Sequence, residues 1–150
     1  MEYKIKFMRQ ALKQAQKAEE IDEVPIGAVI VLDGKIIARA YNKKETDNLC
    51  TSHAEILAIQ KASKKLKSWR LDNAEMFVTL EPCPMCAGAI TGARIKKLYF
   101  GAYEQKSGSA VSKFNILTES GLNHVTEFEG GIMEEDCSNL IKNYFKKKRC

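Results

Sequence analysis

No apolar run in this sequence approaches the roughly 20 residues that a membrane-spanning helix requires. The opening Met1-Glu2-Tyr3-Lys4 has no hydrophobic stretch of the secretory kind. Five cysteines are an odd number, which argues against a disulfide framework and for a reducing compartment. Repeats, low-complexity tracts and linker-like stretches are missing as well. Together these absences argue against a chain that crosses a membrane by helices and against a disulfide-stapled secreted scaffold. A cytoplasmic protein with a single domain spanning residues 1–150 is expected. Its 45% hydrophobic content suffices for a core, and a net charge of +5 favours an anionic partner.

Two short stretches stand out against this background: Ser52-His53-Ala54-Glu55 and Leu80-Glu81-Pro82-Cys83-Pro84-Met85-Cys86. His53, Cys83 and Cys86 offer one nitrogen and two sulfurs to a zinc ion. Three protein ligands leave the fourth tetrahedral position to water, the pattern of a catalytic zinc. Glu55, two residues beyond His53, is placed to handle a proton of that water. Ser52 reads as a helix N-cap, with His53 at the first helical position and Glu55 near the third. Cys83 reads as the cap of a second helix that Pro84 begins, with Cys86 one turn in. The positive end of that helix favours the thiolate. Simpler readings stand beside these. Ser52-x-x-Glu55 is also the signature of a capping box, and Cys-x-x-Cys alone also suits a redox pair or half of a structural zinc site.

Periodicity places the rest. Phe7, Met8, Ala11, Leu12, Ala15 and Ala18 form the apolar stripe of a helix over residues 3–20. Gly27 to Leu32 is a continuous apolar run, as in a strand covered on both faces. Asp33-Gly34 signals a two-residue hairpin into a second strand, Lys35 to Ala40. Asn42 to Cys50 reads as a polar loop. Further strands are expected at 76–80, 95–100 and, weakly, 125–129, with a short helix at 114–117. Gly88 inside the second motif helix suggests close backbone packing. A last helix, 133–149, carries Met133, Cys137, Leu140, Ile141, Tyr144 and Phe145 on one side. The order α-β-β-α-β-α-β-β-α implies an α/β fold: a three-layer α/β/α sandwich around a five-stranded mixed sheet.

His53-Ala54-Glu55 with Pro82-Cys83-Pro84-Met85-Cys86 resembles the zinc deaminase signature H-x-E…P-C-x-x-C. Val24-Pro25-Ile26-Gly27-Ala28-Val29, the stretch Thr79 to Ala89, and Asn143-Tyr144-Phe145-Lys146 look like the bacterial tRNA adenosine deaminases in particular. The resemblance implies the cytidine deaminase-like fold and one Zn²⁺ per subunit on His53, Cys83 and Cys86. It also implies hydrolysis of adenosine to inosine at the wobble position of an arginine tRNA anticodon, with release of ammonia and Glu55 as the proton carrier. Asn42 and the backbone around Ala54 would meet the flipped base. Lys106, Phe145 and Arg149 would contact the anticodon stem-loop, and a homodimer would bind it. Read without the resemblance, Asn42 is an ordinary turn residue and the basic C-terminus a solvated helix end.

Two departures from the family pattern are visible. Glu104-Gln105-Lys106 stands where the family usually has Asp-Pro-Lys, which loosens that loop. Cys50-Thr51-Ser52 replaces Pro-Thr-Ala, putting a thiol three residues ahead of His53, where a fourth ligand would close the site. The helix cap between them argues against that ligation. Cys137 reads as a core residue, Cys150 as an exposed thiol, and His124 has no assigned role. Two rivals share these residues. One is a deaminase of the same fold acting on a free base or nucleoside such as guanine or cytosine. The other is a non-catalytic RNA-binding zinc protein, against which the intact Glu55 counts.

Overall fold

The computed structural model describes residues 2–119 and 121–149; Met1, Ser120, Cys150 and the side chain of Arg149 lie outside the described residues. The chain begins with α1 (Glu2–Glu20), β1 (Gly27–Leu32), β2 (Lys35–Tyr41) and a one-turn α2 (Lys44–Asp47). It continues through α3 (Ala54–Leu66), β3 (Glu75–Leu80), α4 (Pro84–Gly92) and β4 (Lys97–Ala102). A 3₁₀ turn (Ile116–Thr118), β5 (Glu127–Glu129) and α5 (Glu134–Arg149) complete it. None of the described helices is long and apolar enough to cross a membrane.

The five strands form one mixed sheet in the order β2-β1-β3-β4-β5. Asp33 and Gly34 both take positive φ, 52° and 77°, the turn whose twist matches a tight hairpin, and Leu32 pairs with Lys35 across it. β1 is antiparallel to both β2 and β3, whereas β3, β4 and β5 run parallel. One reversed strand between two others makes those two co-directional. The carboxyl ends of β2 and β3 therefore lie at the same edge, and the segments leaving them lead to α3 and α4. Ligand sites gather at that edge in α/β sheets.

Helices cover both faces, as the alternating pattern implied. On one face α3 and α4 bring Ala58, Ala62, Ala87 and Ile90 against Ile30, Met76, Val78 and Phe100. On the other, Phe7, Met8 and Ala11 of α1 and Cys137 of α5 pack on Val29, Val31, Phe77 and Tyr99. Phe77 and Tyr99, partners in the β3–β4 register, stack with ring centroids 4.5 Å apart. The unbroken apolar run of β1 follows from this double cover, since Gly27 to Val31 are all buried.

Four expectations shift. The stretch 42–50 holds the helix α2, because four residues carry too little periodicity to read. β4 starts at Lys97 rather than at 95: Arg94 turns through φ 66°, and the Ile95 carbonyl accepts from His124 Nε2 and Thr126 Oγ1, both at 2.9 Å. That contact also gives His124 a structural place. β5 is shortened to three residues. Close packing at Gly88 fails, since nothing lies within 4 Å of where its Cβ would stand.

Gly27 is the glycine that packing requires. A Cβ there would lie 2.1 Å from the Ala11 carbonyl oxygen and 2.4 Å from the Ala15 nitrogen, so α1 crosses β1 with backbone against backbone. Gly27→Ala must push α1 off the sheet. A loss of about 3 kcal/mol is expected, read as a lower denaturant midpoint; an unchanged midpoint would mean that α1 relaxes freely.

Candidate active site

The site is built where α3 and α4 begin. His53 is the N-cap of α3, with extended φ/ψ of −80° and 151°, and Cys83 caps α4 with −75° and 173°, followed by Pro84 at its start. The sequence pattern puts the α3 cap at Ser52, but the cap lies one residue later. The Ser52 hydroxyl instead donates to Asp47 Oδ2 at 2.9 Å, and the segment behind it is held by the bond from Lys43 N–H to the Ser52 carbonyl at 2.9 Å. Ala54 is then the first helical residue and Glu55 the second. The Ser52–Glu55 capping box does not form, which leaves Glu55 free of that competing role.

Cys83 Sγ lies 3.8 Å and Cys86 Sγ 3.5 Å from His53 Nδ1, and the three ligand atoms all fall within 4.8 Å of one another. Zinc bonded tetrahedrally at the usual distances to nitrogen and sulfur needs ligand–ligand separations of about 3.5–3.8 Å. The donor set therefore fits such an ion in chemistry and in spacing, through Nδ1 rather than Nε2. Among the described residues no fourth His, Cys, Asp or Glu joins the cluster, and Cys50 is exposed and outside it.

The electrostatics follow from burial and from these contacts. The Cys83 thiol is held well below its ordinary value, first by the Cys86 side chain and then, against burial, by His53. Cys86 is pushed up in return. His53 is raised, chiefly by its hydrogen bond with Cys83. Glu55 is 4% exposed, and burial pushes its carboxyl up to about 7. A carboxylate poised near neutrality beside a set of metal donors can both take and give a proton.

A cleft of about 800 Å³ opens over His53. Asn42 stands in its wall, buried, its N–H donating to the Ile26 carbonyl at 3.0 Å. Val24 and Ile26 line the same cleft, as do Tyr144 and Phe145 of α5. Periodicity places Phe145 on the apolar side of α5, yet it is 41% exposed and meets Tyr144 edge-on. Ala54 has its side chain in the core, so only its backbone remains for a ligand. Lys106 is exposed on the loop after β4 and does not line the cleft. The side chain of Arg149 falls outside the described residues.

Sequence reasoning passed over Glu81. Its buried carboxylate accepts from the backbone N–H groups of Glu104, Ala110, Val111 and Ser112 at 2.8–3.1 Å, and from the Ser112 hydroxyl. Ser109 N–H also donates to the Pro82 carbonyl at 2.8 Å. The loop that carries Lys106 is thus fastened to the turn that carries Cys83. The only available signal was an acid next to the motif, and that does not distinguish a ligand from an anchor.

Known proteins resemble this chain in sequence and in fold. The sequence pattern of the MafB19-like deaminase family matches residues 2–149. The chain is 48% identical over 143 residues, 95% of its length and 89% of the other's, to the tRNA-specific adenosine deaminase of Bacillus subtilis. A structure solved in a study of A-to-I editing by tRNA:A34 deaminases at the wobble position of transfer RNA superposes with a TM-score of 0.87. It is 44% identical and covers 89% of this chain and 97% of that one. A guanine deaminase from Bacillus subtilis matches 65% of this chain and 63% of its own, with 42% identity and a TM-score of 0.63.

For Glu81, burial raises the carboxyl but the hydrogen bonds outweigh it and hold it below the ordinary 4.5. A depressed folded value means a stabilisation that is present above the unfolded value and disappears as pH falls through the folded one. Glu81→Gln is expected to cost about 2 kcal/mol at neutral pH and to flatten the decline of stability from about pH 5 into more acid solution, measured by denaturant titration. Parallel acid limbs for both proteins would rule Glu81 out as the anchor.

Proposed function

Because this chain belongs to the MafB19-like deaminase family and is related along almost its whole length to tRNA-specific adenosine deaminases, we propose that it deaminates adenosine in tRNA to inosine. The target is the wobble adenosine of an arginine tRNA anticodon, and the second product is ammonia. The observation that carries the reading is the convergence of His53 Nδ1, Cys83 Sγ and Cys86 Sγ within 4.8 Å, next to a buried Glu55, with His53 in the lining of a cleft.

In this reading His53, Cys83 and Cys86 hold one zinc ion. Bound there, zinc supplies the Lewis acidity that makes water a nucleophile near neutral pH. Glu55 accepts a proton from the attacking water and passes it to N1 of adenine; it then takes the second proton of that water from the new C6 hydroxyl and gives it to the departing amine. The balance is one water in, one ammonia out, with C6–N exchanged for C6–O. Burial of Glu55 keeps these transfers on one carboxyl group and away from bulk solvent.

An adenine inside a duplex hides its C6 amine, so the target is unpaired and turned out of the stack. Asn42 and the backbone at Ala54 meet that base. Phe145 offers a ring at the cleft mouth for a neighbouring base, and Lys106 and Arg149 supply charge for the flanking phosphates. The cleft is open and the end of α5 basic, which suits a polynucleotide better than a free purine. We assign the protein to the cytoplasm as a single deaminase domain over residues 1–150 that works as a homodimer.

Purified protein loaded with zinc is expected to convert the wobble adenosine of an arginine tRNA transcript, read as A-to-G after reverse transcription. No conversion of that tRNA, together with turnover of free guanine or cytosine, would move the activity to the free-base class. Glu55→Ala should keep its metal and lose at least the ~10²–10⁴-fold typical of general acid–base groups. Near-normal turnover would remove Glu55 from the proton path. Replacing Lys146 and Lys147 by Ala should reduce the slope of log affinity against log salt by about 0.7 for each phosphate these lysines neutralise; an unaltered slope would detach this helix end from the RNA.

A further inference from the structure

Glu23 is 1% exposed and belongs to neither the metal cluster nor the groups proposed to touch RNA. It lies on the segment between α1 and β1 and reaches across to α2. Its Oε1 accepts from Glu45 N–H at 3.2 Å; its Oε2 accepts from Thr46 N–H at 2.6 Å and from Thr46 Oγ1 at 2.7 Å. All three bonds end on two adjacent residues of one short helix.

That helix cannot support itself. Four residues are far below the length at which a helix is stable in water. Its own N-cap, Lys43, contributes no side-chain hydrogen bond, and the first turn would otherwise leave its N–H groups without partners. Glu23 supplies the missing acceptors from outside. The negative charge also suits the positive end of the turn.

The position of α2 matters because it forms one side of the cleft. Lys44, Glu45 and Thr46 line it together with Asn42 and His53, and so does Glu23. Asn42, two residues ahead of α2, is held on its other side by the bonds to Ile26 and Val24. Without the carboxylate, residues 43–52 would keep the hydrogen bonds they make among themselves, such as Asp47 N–H to the Lys43 carbonyl, Leu49 N–H to the Lys44 carbonyl and Ser52 to Asp47, but would lose the three that tie α2 to the segment before β1.

We propose that Glu23 is a positioning residue for substrate: it clamps α2 so that the cleft wall is already in place when RNA arrives. This rests on the proposed action on tRNA, which the wild-type measurement tests separately. A wall that contacts substrate equally before and during the reaction changes KM and leaves kcat alone. A residue that merely supports the fold instead lowers the fraction of active protein at constant KM.

The test compares wild type, Glu23→Gln and Thr46→Val, all zinc-loaded, on an anticodon stem-loop RNA, with hydrogen exchange followed on each. Wild type that converts the RNA upholds the substrate reading; wild type that does not removes it, whatever the variants do. For Glu23→Gln a rise of about tenfold in KM is expected, with kcat within about twofold and faster exchange confined to residues 43–49. Thr46→Val should shift KM in the same direction by less. Faster exchange at 43–49 with KM unchanged would overturn the proposal. So would a fall in kcat at constant KM with exchange raised throughout the molecule.

Discussion

The structure depends on two helix starts meeting at one edge of the sheet. A metal-binding trio made of one imidazole and two thiols has little tolerance, because its ligand atoms must stand within a few ångströms of a common point. Here that demand is met by topology. The reversed strand β1 makes β2 and β3 co-directional, and the helices that follow them lie on the same face of the sheet. Both cap residues, His53 and Cys83, are extended, so each side chain leaves the chain before the helix closes around it.

Around that point the protein buries carboxylates and gives each a distinct task through its partners. Glu55 is buried, and burial outweighs the help its charge receives from its own backbone N–H, His53 and Cys86, so it is raised, which suits the proton exchange proposed for it. Glu81 is equally enclosed, but a fan of backbone N–H groups holds it ionised, which suits a fastener. Glu23 takes three donors from α2 and stiffens the cleft wall. The same functional group thus serves as the proposed proton carrier, as a loop anchor and as the proposed helix clamp, and burial and the hydrogen-bond donors around it distinguish the three.

Two parts of the cleft lining are built differently. The part with Asn42 and α2 is held by hydrogen bonds to Val24, Ile26 and Glu23. The last helix lines the cleft as well. Tyr144 OH donates to the Asp22 carbonyl at 3.1 Å, and Lys148 pairs with the Asp22 carboxylate at 2.5 Å. The Lys148 pair is exposed and contributes little by itself. Tyr144 is mostly buried and carries more of the attachment. Phe145, next to it, is left to solvent at the mouth.

What the sequence determined by itself is what repeats at short range. Apolar spacing marked α1 and α5, the continuous run marked β1, Asp33-Gly34 marked the hairpin, and Pro84 marked the start of α4. The motif residues named the three side chains that converge, His53, Cys83 and Cys86, since donor chemistry belongs to residue type. The folded structure alone decided what depends on hydrogen-bond partners, five residues away for Ser52 and more than twenty for the others. The cap of α3 moved from Ser52 to His53 because Asp47 claims the serine hydroxyl. The helix α2 exists because Glu23, some twenty residues earlier, supplies its acceptors. β4 begins late because His124 and Thr126 occupy the Ile95 carbonyl. In each case a hydrogen bond beyond the reach of local periodicity outweighed a local preference, and no short-range pattern records such a bond.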